Sequence, residues 1–103
     1  MYKLCFYVPK VYAETVKTAV FDAGGGQIGN YDRCSWQVDG SGQFRPLAGS
    51  QPFMGQADQV ETTEETRVEM VVAKDKIKAV IIALKEAHPF ETPAYDVMEV
   101  LDF

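Results

Sequence analysis

The order of patterns along this chain is strand, helix, strand, strand, helix, strand. It predicts an α+β domain in which two helices back one face of an antiparallel sheet. Three observations carry the prediction. Alternating runs rich in aromatic and β-branched residues stand at both ends and in the middle of the sequence. Between them lie two stretches whose apolar residues recur at i, i+3, i+4 and i+7. The 103 residues, 47% hydrophobic and 24% charged, can bury a core without metal or disulfide staples, so residues 1–103 read as a single domain.

The first strand spans residues 2–8. Tyr2, Leu4, Phe6 and Val8 share one face, and Lys3, Cys5 and Tyr7 the other. Pro9 stops it and suits a helix entry. Ala13, Val16, Ala19, Val20 and Ala23 then form the apolar stripe of the first helix, with Glu14, Lys17 and Thr18 toward water and Gly24 at its end. Phe21 falls off the stripe and is expected to cover a neighbouring loop or to meet another subunit. Gly24-Gly25-Gly26-Gln27-Ile28-Gly29 matches G-x-G-x-x-G, but these glycines follow a helix and precede a strand. A dinucleotide fingerprint needs the reverse, so that a helix N-terminus meets the pyrophosphate. A helix C-cap and turn account for the glycines.

The second strand is expected over Tyr31–Val38, with Asp32, Cys34, Trp36 and Val38 on one face. Asp39-Gly40-Ser41-Gly42 reads as a turn into Gln43-Phe44-Arg45, an extra β-hairpin between the second and third core strands. Residues 46–59, with Pro46, Gly49, Pro52 and Gly55, read as irregular, and loops of that length often serve function or a subunit contact. The third strand covers Thr63–Ala73. Thr66, Val68, Met70 and Val72 face the core, and Glu65, Arg67 and Glu69 form an acid, base, acid ladder on the other side. Asp75 is placed to cap the second helix, whose stripe is Ile77, Val80, Ile81 and Leu84, continued by His88. Pro89 ends that helix, and Tyr95–Leu101 is the last strand. The order β-α-β-β-α-β is the ferredoxin-like pattern.

Fifteen acidic against ten basic residues give a formal charge of -5, which opposes sequence-independent attraction to nucleic acid or to an anionic membrane. No apolar run approaches the roughly 20 residues of a membrane span, and the start lacks a signal-peptide pattern, so a cytoplasmic location is expected. Cys5 and Cys34 lie in strand-like runs without CxxC spacing and read as thiols, neither a disulfide nor a zinc site.

The stretch His88-Pro89-Phe90-Glu91-Thr92-Pro93-Ala94-Tyr95-Asp96 holds the only histidine on a turn stiffened by two prolines. Three readings of His88 and Glu91 stay open. As metal ligands they need Cys34, Asp32 or a second subunit to complete a site. As an acid–base pair they lack a marked nucleophile. In the structural reading, His88 donates to a nearby carbonyl or carboxylate and closes the helix C-terminus. The Glu65, Arg67 and Glu69 ladder is either a solvated face or an oligomer interface in which opposite charges set register between subunits.

The segments Gly29–Ser35, Gly42–Pro46, Pro52–Gly55, Glu65–Glu69 and His88–Asp96 together resemble the NIF-three-like (YqfO-like) group. More narrowly, they resemble the insert domain in the middle of its long members, standing here as a free chain, over nearly all of residues 1–103. That insert is similar in fold to CutA and the PII signalling proteins, so the resemblance implies a CutA/PII-like homotrimer. The flanking halves of the long members, which hold a dinuclear metal site and suggest a hydrolase, have no counterpart here, and neither ligands nor activity carry over.

The expectation from residues and resemblance together is a non-enzymatic oligomeric module for ligand sensing or protein interaction. Its clefts between subunits are expected to be lined by the His88 to Tyr95 turn, with Glu91, and by the 29–35 segment, with Tyr31 and Cys34. No cofactor is implied. The rival is a metal-binding protein or small hydrolase-type enzyme using His88 and Glu91 with a divalent metal.

Overall fold

Strand β1, Tyr2–Pro9, alternates as its sequence requires, and Leu4, Phe6 and Val8 are fully buried. A computed structural model describes residues 1–103. After β1 a 3₁₀ turn, Lys10–Tyr12, leads into helix α1, Ala13–Asp22, which buries Ala13, Val16 and Val20. The helix stops in a glycine-assisted C-cap. Gly24 takes φ +114, the Gly24 N–H bonds to Phe21 O at 3.0 Å, and the Gly25 N–H bonds to Val20 O at 3.0 Å. Strands β2, Trp36–Phe44, and β3, Glu61–Val72, follow as one long antiparallel pair, then helix α2, Ile77–Ala87, and strand β4, Tyr95–Glu99.

The sheet order is β2-β3-β1-β4, with every neighbouring pair antiparallel. This is the ferredoxin-like arrangement expected from the sequence. Both helices cover one face, where Leu4, Phe6 and Val8 of β1 meet Val68, Met70 and Val72 of β3 and Val16, Val20, Val80 and Leu84 of the helices. Burying such apolar side chains stabilises the fold by roughly 1.5–3 kcal/mol each before entropy is counted. The other face is left without helices. No helix is long and apolar enough to cross a membrane.

The extra hairpin expected at Asp39–Gly42 does not form. Those residues run straight through β2, paired Asp39 to Thr66, Gly40 to Glu65, Ser41 to Glu64 and Gly42 to Thr63. Glycine content made the stretch look like a turn, but the long-range partner supplies a full ladder. The absence of a side chain at Gly42 is used differently, because a Cβ there would collide with the Glu65 carboxyl group. The second strand also starts later than its alternation suggests. Arg33 sits at φ +53, and the Cys34 N–H bonds to Gly26 O at 2.8 Å, so residues 31–34 close a loop against the glycine turn instead of joining the sheet. Phe21 covers that loop, with the Arg33 guanidinium 5.7 Å from its ring.

One smaller expectation is corrected. No side chain caps α2, whose N-cap is Lys76, so Asp75 does not play that part. Cys5 lies on the uncovered face of the sheet yet is only 3% exposed. Tyr7 and Arg67 close over its small side chain, and the neighbouring Cys5 sulfur pushes the pKa of both above its ordinary value.

Because β1 ends at Pro9, opposite Glu65, the outer part of the β2–β3 ribbon from Glu61 to Glu64 pairs with β2 alone. The ribbon therefore projects past β1, and the molecule measures 46 × 24 × 23 Å. What fills the corner beside that projection is the long loop after β2 together with the turn after α2.

Candidate functional site

His88 sits where α2 hands over to that turn. Its backbone is extended, φ -71 and ψ 135, as the following proline requires, and its N–H still closes the helix on Leu84 O at 2.9 Å. The ring is 5% exposed. Nδ1 accepts the Phe90 N–H at 3.1 Å, which leaves the proton on Nε2, and Nε2 donates it to Tyr7 O at 2.7 Å. Burial lowers the pKa of His88 below its ordinary value, against the opposing pull of the Tyr7 carbonyl. A neutral imidazole with both nitrogens occupied has no lone pair for a metal and no free proton to move. The chain uses His88 to tie the α2–β4 turn to the end of β1.

Glu91 points elsewhere. It is exposed, its Oε1 accepts the Gln51 N–H at 3.0 Å, and it makes no hydrogen bond to His88. That contact links the turn to the long loop across a cleft of about 570 Å³. Tyr7, Gly42, Phe44 and Glu65 form the sheet side of the cleft, Arg45 to Met54 the loop side, and Phe90 to Ala94 the turn side. Its aromatic wall is continuous. Phe90 lies 5.6 Å from Phe44 and 6.2 Å from Phe53 between ring centroids, and Tyr12 meets Phe53 edge-on at 5.6 Å.

The Glu65, Arg67 and Glu69 ladder divides. Glu69 bonds Lys3 Nζ at 3.1 Å and Arg67 Nη2 at 3.2 Å, and Lys3 together with Arg67 lowers its pKa. Glu65 joins neither pair. It is half-buried over Gly42 in the wall of the cleft, and burial raises its pKa.

The remaining predicted site residues are scattered. Tyr95 opens β4, paired with Phe6, half-buried against the core, with Lys85 Nζ 5.7 Å from its ring. Tyr31 is 75% exposed in a small bridge with Ile28, and the Cys34 thiol, half-buried, contacts Asp32 O at 3.6 Å. These two lie beside Gly26, which bonds Val71 O near the start of β1, whereas His88 binds Tyr7 near its end. Lys3 and Tyr7 are four residue steps apart along the strand, about 13 Å. Within one chain the 29–35 segment and the His88 turn do not meet. Sequence reasoning missed Phe44, Phe53 and Glu65 as cleft residues. The aromatic spacing around Pro46 and Pro52 was the available signal.

Comparisons with known proteins agree with this architecture, although no family model matches the chain. It is 45% identical over 98 residues to a "GTP cyclohydrolase 1 type 2 homolog" of Bacillus subtilis (strain 168), covering 95% of this chain and 26% of that protein. A protein of the same name from Mycobacterium tuberculosis is 42% identical over 99 residues, covering 96% of this chain and 26% of its own length. Among solved structures, a Bacillus cereus protein related to NIF3 superposes with TM-score 0.79 at 40% identity, over 93% of this chain and 24% of that one. CutA1 of Pyrococcus horikoshii superposes with TM-score 0.71 at 16% identity, over 100% of this chain and 86% of that one. The fold is CutA/PII-like. In sequence the chain is similar to one segment of NIF3-related proteins, and it spans about a quarter of the length of the curated relatives it matches.

Proposed function

We propose that the chain is a non-enzymatic, self-assembling module, three copies to an assembly, that senses a ligand or engages a protein partner. The observation that carries this reading is the face of the sheet that no helix covers. Trp36, Val38 and Met98 stand 61%, 46% and 53% exposed there, beside the Lys3, Glu69 and Arg67 charge network. Apolar side chains around paired charges on a sheet face suit a second copy of the same surface better than water. The similarity to about a quarter of a longer NIF3-related protein and the CutA-like fold support the same reading.

The name of the curated relatives belongs to proteins of which this chain matches about a quarter, and the module reading takes no cyclohydrolase chemistry from it. The rival, a metal-binding protein or hydrolase using His88 and Glu91, is not favoured, because the lone pair of His88 is spent on Phe90 and Glu91 faces a different partner. The module works without a cofactor, in the cytoplasm.

Light scattering with elemental analysis on purified protein tests both readings. A mass near three times the 11.5 kDa chain without stoichiometric metal is expected. A mass of 11.5 kDa overturns the assembly. Stoichiometric metal that disappears in His88→Ala establishes the rival.

A further inference from the structure

The geometry points to the cleft between the long loop and the His88 turn as a site for a small organic cation, an amine or quaternary ammonium group carried on an apolar or aromatic body. This rests on the module reading and names the chemical class of its ligand. At about 570 Å³ the cleft falls within the range of roughly 300–1,000 Å³ typical of small-molecule sites. Phe44, Phe53, Phe90 and Tyr7 put four aromatic side chains in its lining, the three phenylalanine rings tilted against one another. Aromatic faces carry negative potential and attract a cation, most strongly where water is excluded.

The charges decide the sign of the ligand. Glu65 is half-buried in the cleft wall without an ion pair or a hydrogen-bond donor; Arg67, two residues along β3, is taken by Glu69, and Lys10, next to the Pro9 that pairs with Glu65, is taken by Asp39. Burial raises the pKa of Glu65, as expected for a carboxylate whose charge is uncompensated. Glu91 adds a second carboxylate, with one oxygen already accepting the Gln51 N–H. Arg45 also lines the cleft, but it is exposed, so its charge is screened by water while that of Glu65 is partly shielded from it. The deeper charge is negative, and a ligand ammonium supplies the partner it lacks.

Gly42 makes the arrangement sterically feasible. A Cβ at that position would occupy the space where the Glu65 carboxyl group lies. Gly42 has no positive φ, so alanine fits its backbone and moves the end of a flexible side chain instead of the strand.

The test is isothermal titration calorimetry of the full chain in its native assembly with three compounds that share one apolar body: phenethylamine, 2-phenylethanol and 3-phenylpropionate. Phenethylamine is expected to bind about tenfold tighter than the other two. Glu65→Gln is expected to bring amine and alcohol within about twofold of each other, and Gly42→Ala, which keeps the carboxylate but displaces it, to reduce the preference. Equal affinities, tighter binding of the carboxylate, binding of none, or an amine preference that survives Glu65→Gln each overturns the cation assignment. The mass of the same sample is read separately. A trimeric mass without amine preference overturns the ligand class and leaves the module standing, and a monomeric mass overturns the module whatever the calorimetry returns.

Discussion

Replacing His88 is the perturbation whose outcome the structure specifies most fully. His88 is 5% exposed, and its imidazole donates to Tyr7 O at 2.7 Å, accepts from the Phe90 N–H at 3.1 Å and lies 5.1 Å from the Phe90 ring centroid at a tilted angle. Alanine removes both partners and leaves a half-buried carbonyl and a half-buried N–H unpaired, each costing about 1–3 kcal/mol, so His88→Ala should lose about 2–6 kcal/mol. Glutamine carries an N–H donor to nearly the place of Nε2 but no acceptor at Nδ1. It should keep the Tyr7 bond and lose about 1–2 kcal/mol. Chemical denaturation of wild type and both variants at one fixed protein concentration reads these costs as ordered midpoints, wild type above glutamine above alanine.

The pH profile supplies a second check. Burial holds the folded pKa of His88 below 6.5, so the unfolded chain takes up its proton first as pH falls. The contribution of the neutral ring is complete above about pH 6.5 and is lost as pH drops from there toward the lowered folded value. His88→Gln should remove that acid-side loss. Unchanged midpoints in both variants, together with loss of a bound metal or ligand in both, would show that His88 serves a site and not the turn.

Three further outcomes follow from the same structure. Thiol titration of unfolded, unreduced protein should find two free thiols, and in the folded protein the half-buried Cys34 should react well before Cys5, which is 3% exposed. Finding no free thiols would refute both the free-thiol reading and the cytoplasmic location. Light scattering at micromolar concentration should return a multiple of 11.5 kDa near three, because the uncovered face holding Trp36 and Met98 then has a partner. Gly26→Ala should cost on the order of 1–3 kcal/mol, read by thermal denaturation, since Gly26 takes φ +79 and its Cβ would stand 2.8 Å from Cys34 O; a neutral effect would mean the glycine turn is not the anchor of the 26–34 loop.

The glycine run shows why a motif needs its surroundings. Gly24, Gly25 and Gly26 spend their N–H groups on Phe21 O, Val20 O and Val71 O, so none remains to bind a phosphate. Their position after a helix already pointed to that outcome. His88 was legible in a similar way, because its spacing from Leu84 and the proline after it set both its burial and the extended backbone of the turn. What could not be read was where its two nitrogens would go. Tyr7 lies 81 residues away in sequence.

By itself the sequence determined the order of the core elements, the two helix stripes, the buried face of β1 and β3, and the C-terminal ends of both helices, because each follows from side-chain periodicity, glycine and proline within a few residues. Only the tertiary structure decided that Asp39–Gly42 is strand, that Glu65 leaves its charge ladder to lie over Gly42, that Phe44, Phe53 and Phe90 form one wall, and that Tyr31 and Cys34 stand apart from His88. These outcomes depend on pairing between segments far apart in the chain, where the ladder between β2 and β3 outweighs the local turn preference of two glycines. Local pattern fixes which face of an element is apolar. Register across the sheet fixes which side chains become neighbours.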